Sequence, residues 1–253
     1  MSSSASKIRP LIAGNWKMNG GRAGLTQLKS LLSRLEKVKT AADIMICPPY
    51  LDIGPAVEIT KGSQVAIGGQ DCHPEPSGAH TGDVSAVMLK KYGAKTVIVG
   101  HSERRTHHME TNKLVKAKAQ AALESGLSPI ICIGETLKER KGGQTLRIVG
   151  AQLRGSLPDI DKPEKVVVAY EPVWAIGTGL TPTLGQVRQV HAHIRKALVR
   201  RYGPAGQKIR ILYGGSVNPD NAAELLAVEH VNGALVGGAS LKAADFIKIV
   251  ACR

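Results

Sequence analysis

The sequence predicts an α/β protein folded as one closed (β/α)8 barrel, a single domain spanning residues 1–253. Three observations carry that prediction. Eight short apolar runs recur along the chain, most of them followed by turn residues and a segment with helical apolar spacing. No linker interrupts the 253 residues, a length such barrels occupy without a boundary. The signatures of the open nucleotide-binding sheets are missing: no G-x-G-x-x-G follows the first run, and no G-x-x-x-x-G-K-[ST] occurs.

The units follow in order. Residues 11–13 form the first run and lead into Gly14-Asn15-Trp16-Lys17, after which Leu25, Leu28, Leu31, Leu32 and Leu35 mark one helix face. Runs at 44–46 and 65–67 are the second and third, the latter followed by Gln70. The fourth, 97–99, ends on Gly100 and a helix-start sequence, His101-Ser102-Glu103-Arg104-Arg105. The fifth, 130–133, contains Cys132, read as packing, and is followed by Glu135. The sixth, 166–168, is β-branched and stops at Glu171 because Pro172 has no N–H to give a ladder. Val187, Val190, Ile194 and Leu198 then give a helix. The seventh and eighth, 209–212 and 234–236, lead into Gly214-Gly215-Ser216 and Gly237-Gly238.

Composition narrows the class. Apolar residues make up 43% and Pro and Gly are scattered, so the chain is globular; residues 1–6, Ser-rich, read as a flexible tail. No run approaches the roughly 18 apolar residues of a membrane span and no signal-peptide core is present, which predicts a cytoplasmic protein without a membrane partner. Cys47, Cys72, Cys132 and Cys252 are far apart and lack ligand spacing, and no histidine pair adds to them, so neither metal nor cofactor is expected. The net charge of +14 raises nucleic acid as a partner. Only 188–210, with seven cations and no acid, forms a patch, and few aromatic rings are present to stack bases, so no nucleic-acid partner is predicted.

In a barrel of this kind chemistry collects where strands end and loops toward helices begin. That filter selects Asn15, Lys17, Gln70, His101, Glu103, Glu135, Glu171 and the two glycine pairs. Glu171 leaves an apolar strand into a segment with Pro172 at one side, Gly177 and Gly179 at the other, and Val173, Trp174 and Ile176 between: a base beneath a cover. Alone it is equally compatible with a solvated carboxylate beside an ordinary loop. Paired glycines after consecutive strands can aim N–H groups at an anion, although one such pair alone is more often a tight turn. A His101 ring at a helix start would be disfavoured as a cation and able to donate as a neutral ring. Glu103 and Glu135 read as partners for cations. Together these groups suit proton transfer beside a carbonyl in a phosphorylated substrate.

The motifs Ala13-Gly14-Asn15-Trp16-Lys17-Met18-Asn19, Gly100-His101-Ser102-Glu103-Arg104-Arg105, Ala169-Tyr170-Glu171-Pro172-Val173-Trp174-Ala175-Ile176-Gly177-Thr178-Gly179, Tyr213-Gly214-Gly215-Ser216-Val217 and Gly233-Ala234-Leu235-Val236-Gly237-Gly238 resemble the triosephosphate isomerase family nearly end to end. The resemblance implies a (β/α)8 TIM barrel, a cytoplasmic homodimer, and a cofactor-free isomerase interconverting dihydroxyacetone phosphate and D-glyceraldehyde 3-phosphate through an enediolate in glycolysis and gluconeogenesis. It implies that Glu171 carries the proton, that His101 acts at the oxygens, and that Asn15 and Lys17 stabilise developing charge. Gly177, Ser216, Gly237 and Gly238 would bind phosphate with Asn15 and Lys17, supported by Ser102, Glu103, Cys132 and Glu135. Pro172, Val173, Trp174, Ala175, Ile176, Gly177, Thr178 and Gly179 would form the lid. Gln70, His80, Thr81, Gly82, Asp83 and Arg104 would lie at the subunit interface. Leu180 and Pro182 depart from the familiar Lys and small residue of the lid's far hinge, His80 from an aromatic, and Asp83 from Glu.

A Schiff-base aldolase using Lys17 and a nucleic-acid-binding barrel are the competing readings.

Overall fold

The computed structural model describes residues 8–178 and 180–253; the expected tail at 1–6 and the lid residue Gly179 lie outside them. Eight strands are present among these residues: β1 (Leu11–Asn15), β2 (Asp43–Cys47), β3 (Val65–Gly69), β4 (Thr96–Val99), β5 (Ser128–Ile133), β6 (Val167–Tyr170), β7 (Arg210–Tyr213) and β8 (Gly233–Val236). They close a barrel in chain order, every neighbouring pair parallel, with β8 returning to β1 through Ile12 opposite Ala234 and Gly14 opposite Val236. The helices are α1 (Gly21–Leu35), α2 (Tyr50–Thr60), α3 (Ala86–Lys91), α4 (Ser102–His107), α5 (Asn112–Glu124), α6 (Leu137–Lys141), α7 (Thr145–Ser156), α8 (Leu184–Tyr202), α9 (Ala222–Ala227) and α10 (Ala243–Val250).

The apolar runs are strands buried on both faces. In β5, Ile130 and Cys132 join the barrel's inner cluster with Leu11, Ala13, Ile98 and Leu212, whereas Ile131 and Ile133 pack outward into the layer beneath the helices. Alternation therefore sorts residues between two apolar environments rather than between core and water, which is why the runs read as continuous. The helices seal the outer layer through single stripes. In α1, Leu28, Leu31 and Leu35 are buried; each contributes about 1.5–3 kcal/mol of transfer free energy. Gly20 at its N-cap has no side chain to offer, and Asp52 Oδ2 on α2 accepts the Gly21 N–H at 2.6 Å in its place.

Three details differ from the pattern expected. β6 and β7 begin one residue later than their apolar runs, because 3-10 turns at Pro163–Lys165 and Gly203–Lys208 end immediately before Val166 and Ile209. The connections after β4 and after β5 each carry two helices instead of one. The connection after β3 runs through residues 70–85 before α3 begins, capped by the Ser85 hydroxyl accepting from the Met88 N–H.

Candidate active site

Glu171 follows β6 directly and is 1% exposed. Its N–H donates to the Ile133 carbonyl at 2.8 Å, extending the β5–β6 pairing one residue beyond the strand. Two glycines make room for it: a Cβ at Gly134 would lie 1.6 Å from the Glu171 carbonyl oxygen, and one at Gly214 would lie 2.9 Å from its Cγ. Any side chain at Gly134 would displace the carboxylate's backbone. Oε2 accepts the Ser102 N–H at 3.0 Å, and Oε1 lies 3.0 Å from His101 Nε2.

His101 caps α4 with its ring. Nδ1 accepts the Glu103 N–H at 3.2 Å, so a lone pair resides there and the neutral ring carries its proton on Nε2, toward Glu171. Burial disfavours charge on this ring, but the Glu171 carboxylate beside Nε2 and the Glu103 carboxylate favour it, leaving the proton affinity above that of an ordinary imidazole. Burial likewise opposes ionisation of Glu171, while His101, the Ser102 N–H and Lys17 outweigh it and hold the carboxyl below its usual range. The helix start was expected to depress His101. Its effect is instead on the tautomer, through one N–H bond, and the neighbouring carboxylate decides the direction of the shift.

Lys17 lies across the same cavity. Its backbone has φ 53°, a left-handed conformation that costs of order 1–3 kcal/mol in a non-glycine residue. Three contacts hold it: the Lys17 N–H donates to Asn15 Oδ1 at 3.0 Å, and Gln70 Nε2 donates to the carbonyls of Lys17 and Cys47, each at 2.9 Å. Gln70, expected at a subunit interface, thus clamps the Lys17 turn within its own chain. Lys17 Nζ pairs with Glu103 Oε1 at 2.5 Å, as expected for a carboxylate serving a cation. Its stem passes over the glycine pair after β8, with Cε 3.8 Å from where a Gly237 Cβ would be.

Asn15, Lys17, His101 and Glu171 share a cavity of about 330 Å³ with Gly177, Ser216, Gly237 and Gly238, so the catalytic and phosphate-binding candidates converge on one hollow. A 3-10 turn, Gly238–Leu241, begins at its wall, next to the Gly214-Gly215-Ser216 segment from β7. This arrangement offers backbone N–H groups to an anion opposite a carboxylate base.

The cover rests on Glu135. Trp174 Nε1 donates to Glu135 Oε1 at 3.1 Å, Tyr170 Oη donates to the same oxygen at 3.2 Å, and Arg140 lies 3.6 Å from it. Glu135 therefore meets the cation expected of it and also anchors a lid residue, a contact unread in the sequence. Val173–Ala175 forms a 3-10 turn, Thr178 Oγ donates to the Trp174 carbonyl at 2.7 Å, and Ser216 Oγ donates to the Ala175 carbonyl. Ile176 and Gly177, the latter with φ 69°, border the cavity. Cys132 is fully buried, and burial together with the Glu171 charge raises its thiol far above the usual range, in keeping with packing.

The remaining candidates lie next to this cavity. Arg104 is ion-paired to Asp71 at 2.8 Å and Glu110 at 2.6 Å, beside Lys118, and borders an adjoining groove with Lys17, Met18, Tyr50 and Gln70. Met18, on its lining, is exposed (97%), as are Leu51 (91%) and Met109 (79%), which follow the lining residues Tyr50 and His108 in the chain. His80, Thr81, Gly82 and Asp83 are exposed in the connection after β3. Among the described residues the one grouping of potential metal ligands is His73, His80 and Asp83 in that connection. The Glu75 N–H donates to His73 Nδ1 at 3.0 Å, and His73 Nε2 lies 3.7 Å from Asp83 Oδ2, beyond hydrogen-bond distance.

Comparison with known proteins agrees with this geometry. Residues 10–253 match the triosephosphate isomerase family model. The chain is 57% identical over 242 residues to the triosephosphate isomerase of Bradyrhizobium diazoefficiens, covering 96% of both chains. It is 56% identical over 243 residues to that of Brucella abortus, again covering 96% of each. The crystal structure of triosephosphate isomerase from Bartonella henselae superposes with a TM-score of 0.90 at 48% identity, over 97% of this chain and 99% of that one. No helix among the described residues is long and apolar enough to cross a membrane. A closed parallel barrel, a buried Glu–His pair facing a glycine-lined hollow and identity over nearly the whole length lead to one conclusion: the chain belongs to the triosephosphate isomerase family.

Proposed function

We propose that Glu171 and His101 carry the family's reaction in this chain, the interconversion of dihydroxyacetone phosphate and D-glyceraldehyde 3-phosphate. The observation that carries the assignment is the 3.0 Å contact between the buried Glu171 carboxylate and His101 Nε2, at the edge of a hollow whose far side is glycine backbone. Substrate anchored by its phosphate at Ser216, Gly237 and Gly238 brings its carbonyl and adjacent hydroxyl between the two side chains. His101 Nε2 then donates to those oxygens instead of to Glu171, and the freed carboxylate removes a proton from the hydroxyl-bearing carbon next to the carbonyl. Lys17 and Asn15 stabilise the charge that develops on the enediolate. His101 carries a proton from the substrate's hydroxyl oxygen to its former carbonyl oxygen while Glu171 returns the carbon-bound proton to the neighbouring carbon, completing the isomerisation without a redox group or a covalent adduct.

The aldolase reading asks Lys17 Nζ to attack a substrate carbonyl, whereas Nζ is engaged with Glu103 Oε1 at 2.5 Å. A coupled assay offering both triose phosphates and erythrulose 4-phosphate tests the proposal. Turnover of both trioses without borohydride-trappable adduct is expected; no triose turnover would remove it.

The same reading includes a cytoplasmic homodimer. Its support is the exposure of Met18, on the lining of a groove adjoining Lys17 and His101, and of Leu51 and Met109, which follow lining residues in the chain, matched by an exposed 80–83 segment able to enter a second copy. Sedimentation equilibrium should give twice the 26.8 kDa chain mass.

A further inference from the structure

We infer that Arg105 is a positioning residue for the reaction, tying the helix that presents His101 and Ser102 to the strand end beside Glu171. The inference rests on the Glu171–His101 assignment. Arg105 lies on α4, and its guanidinium donates to four neutral acceptors: Nε to the Gly100 carbonyl at 2.8 Å, Nη1 to Asn112 Oδ1 at 2.8 Å, and Nη2 to Ser156 Oγ at 3.0 Å and the Cys132 carbonyl at 3.1 Å. Among the described residues it has no carboxylate within ion-pair distance. Arg105 is half-buried, and cations withdrawn from water ordinarily meet an acid. This one instead engages the approach to α4, the start of α5, β5 and the end of α7.

Those acceptors connect the two halves of the reacting pair. Gly100 immediately precedes His101, and its φ of 67° leaves a Cβ there 2.7 Å from Val115 and 3.1 Å from Arg105 Nη2, so the turn is closely confined. Cys132 is aligned with Ala169 of β6, two residues before Glu171, and the next β5 residue, Ile133, accepts the Glu171 N–H. The guanidinium therefore bridges the carbonyl that precedes His101 to the strand on which Glu171 is hung. A planar fork reaches these acceptors together; an ammonium, with donors radiating from a single point, does not. The positive charge also lies within the field of Glu171, although burial weakens Arg105's own hold on its proton.

Arg105→Lys, which keeps the charge, tests the geometry. The expected result is a kcat at least about tenfold lower with KM changed less than about twofold, the pattern of a misplaced reacting group rather than lost binding. The ¹⁵N resonances of His101 should shift in the same variant without substrate, because the ring's cap and its distance to Glu171 loosen. Native kcat together with unshifted His101 resonances would overturn the proposal, whatever happens to the melting temperature. Should Arg105→Lys fail to fold, Asn112→Ala combined with Ser156→Ala removes two acceptors and leaves the arginine; a kcat reduced about threefold or more supports the clamp, and an unchanged kcat with unshifted His101 resonances overturns it. The resonance measurement needs no turnover, so failure of the Glu171 assignment is told apart from failure of the clamp.

Discussion

His101 and His191 are both buried, yet their surroundings give them opposite chemistry. His101 stands at a helix start with a carboxylate 3.0 Å from Nε2 and a cavity in front of it. His191 lies inside α8, edge-on to Tyr170 at 5.9 Å between ring centres and near Tyr213, with Nδ1 3.3 Å from the His230 carbonyl and Nε2 unpartnered. Among the described residues no acid shifts it, and burial pushes its pKa down to about 4. Desolvation acts on both rings; only at the rim does an opposing charge overturn it. Burial of a titratable group is thus no mark of function. A charged partner and open space for a third molecule distinguish the working histidine from the packed one.

The comparison can be broken first at the rim. Glu171→Gln should lower kcat by at least about 10² with the fold intact, the scale of lost general base help; near-native steady-state kcat in the purified variant would contradict the role given to Glu171. His101→Gln should also lower kcat by about 10². His191→Gln, by contrast, should leave kcat within a few-fold of wild type, so a similar loss in both variants would erase the distinction between the two rings.

The packed histidine should declare itself in stability. Its folded pKa of about 4 lies below the unfolded value of 6.5, so between these pH values the unfolded chain binds a proton that the folded one excludes. Its contribution is complete above pH 6.5 and is lost as pH falls toward 4, by about 3 kcal/mol in all. Urea unfolding across that window should therefore be steeper in pH for wild type than for His191→Gln; parallel curves would show that His191 is not the group responsible. The smallest effect expected is at the lid anchor. Trp174→Phe removes one hydrogen bond to Glu135, worth about 1 kcal/mol, and should change kcat/KM about fivefold or less. A hundredfold change in the progress curves would make Glu135 more than a resting point for the cover.

Much of the rim was legible because each strand end is followed by residues with few other reasons to be there: Gly-Gly after β7 and β8, Asn15 and Lys17 after β1, Glu171 before a proline. Strand positions were legible to within two residues because both faces of the barrel are apolar. What escaped were contacts made by side chains with carbonyls far away in sequence. Gln70 beneath Lys17, Trp174 on Glu135 and Arg105 on Cys132 leave no periodicity, since a donor that satisfies a distant backbone oxygen can occupy any position the fold brings close. Gly134 was overlooked for a related reason: its lack of a side chain matters only because the Glu171 backbone passes 1.6 Å from where a Cβ would be.

By itself the sequence determined the barrel and singled out the candidate reacting groups, because two-sided burial dictates apolar strands and proton transfer calls for particular side chains after them. The tertiary structure alone decided the directions in which the affinities of buried groups such as His101 and Glu171 move. Those depend on distances between residues 30 to 70 positions apart, such as the Ser102 N–H and the Glu171 carboxylate, and the electrostatics of a buried pair is set by that separation rather than by the chain that connects it.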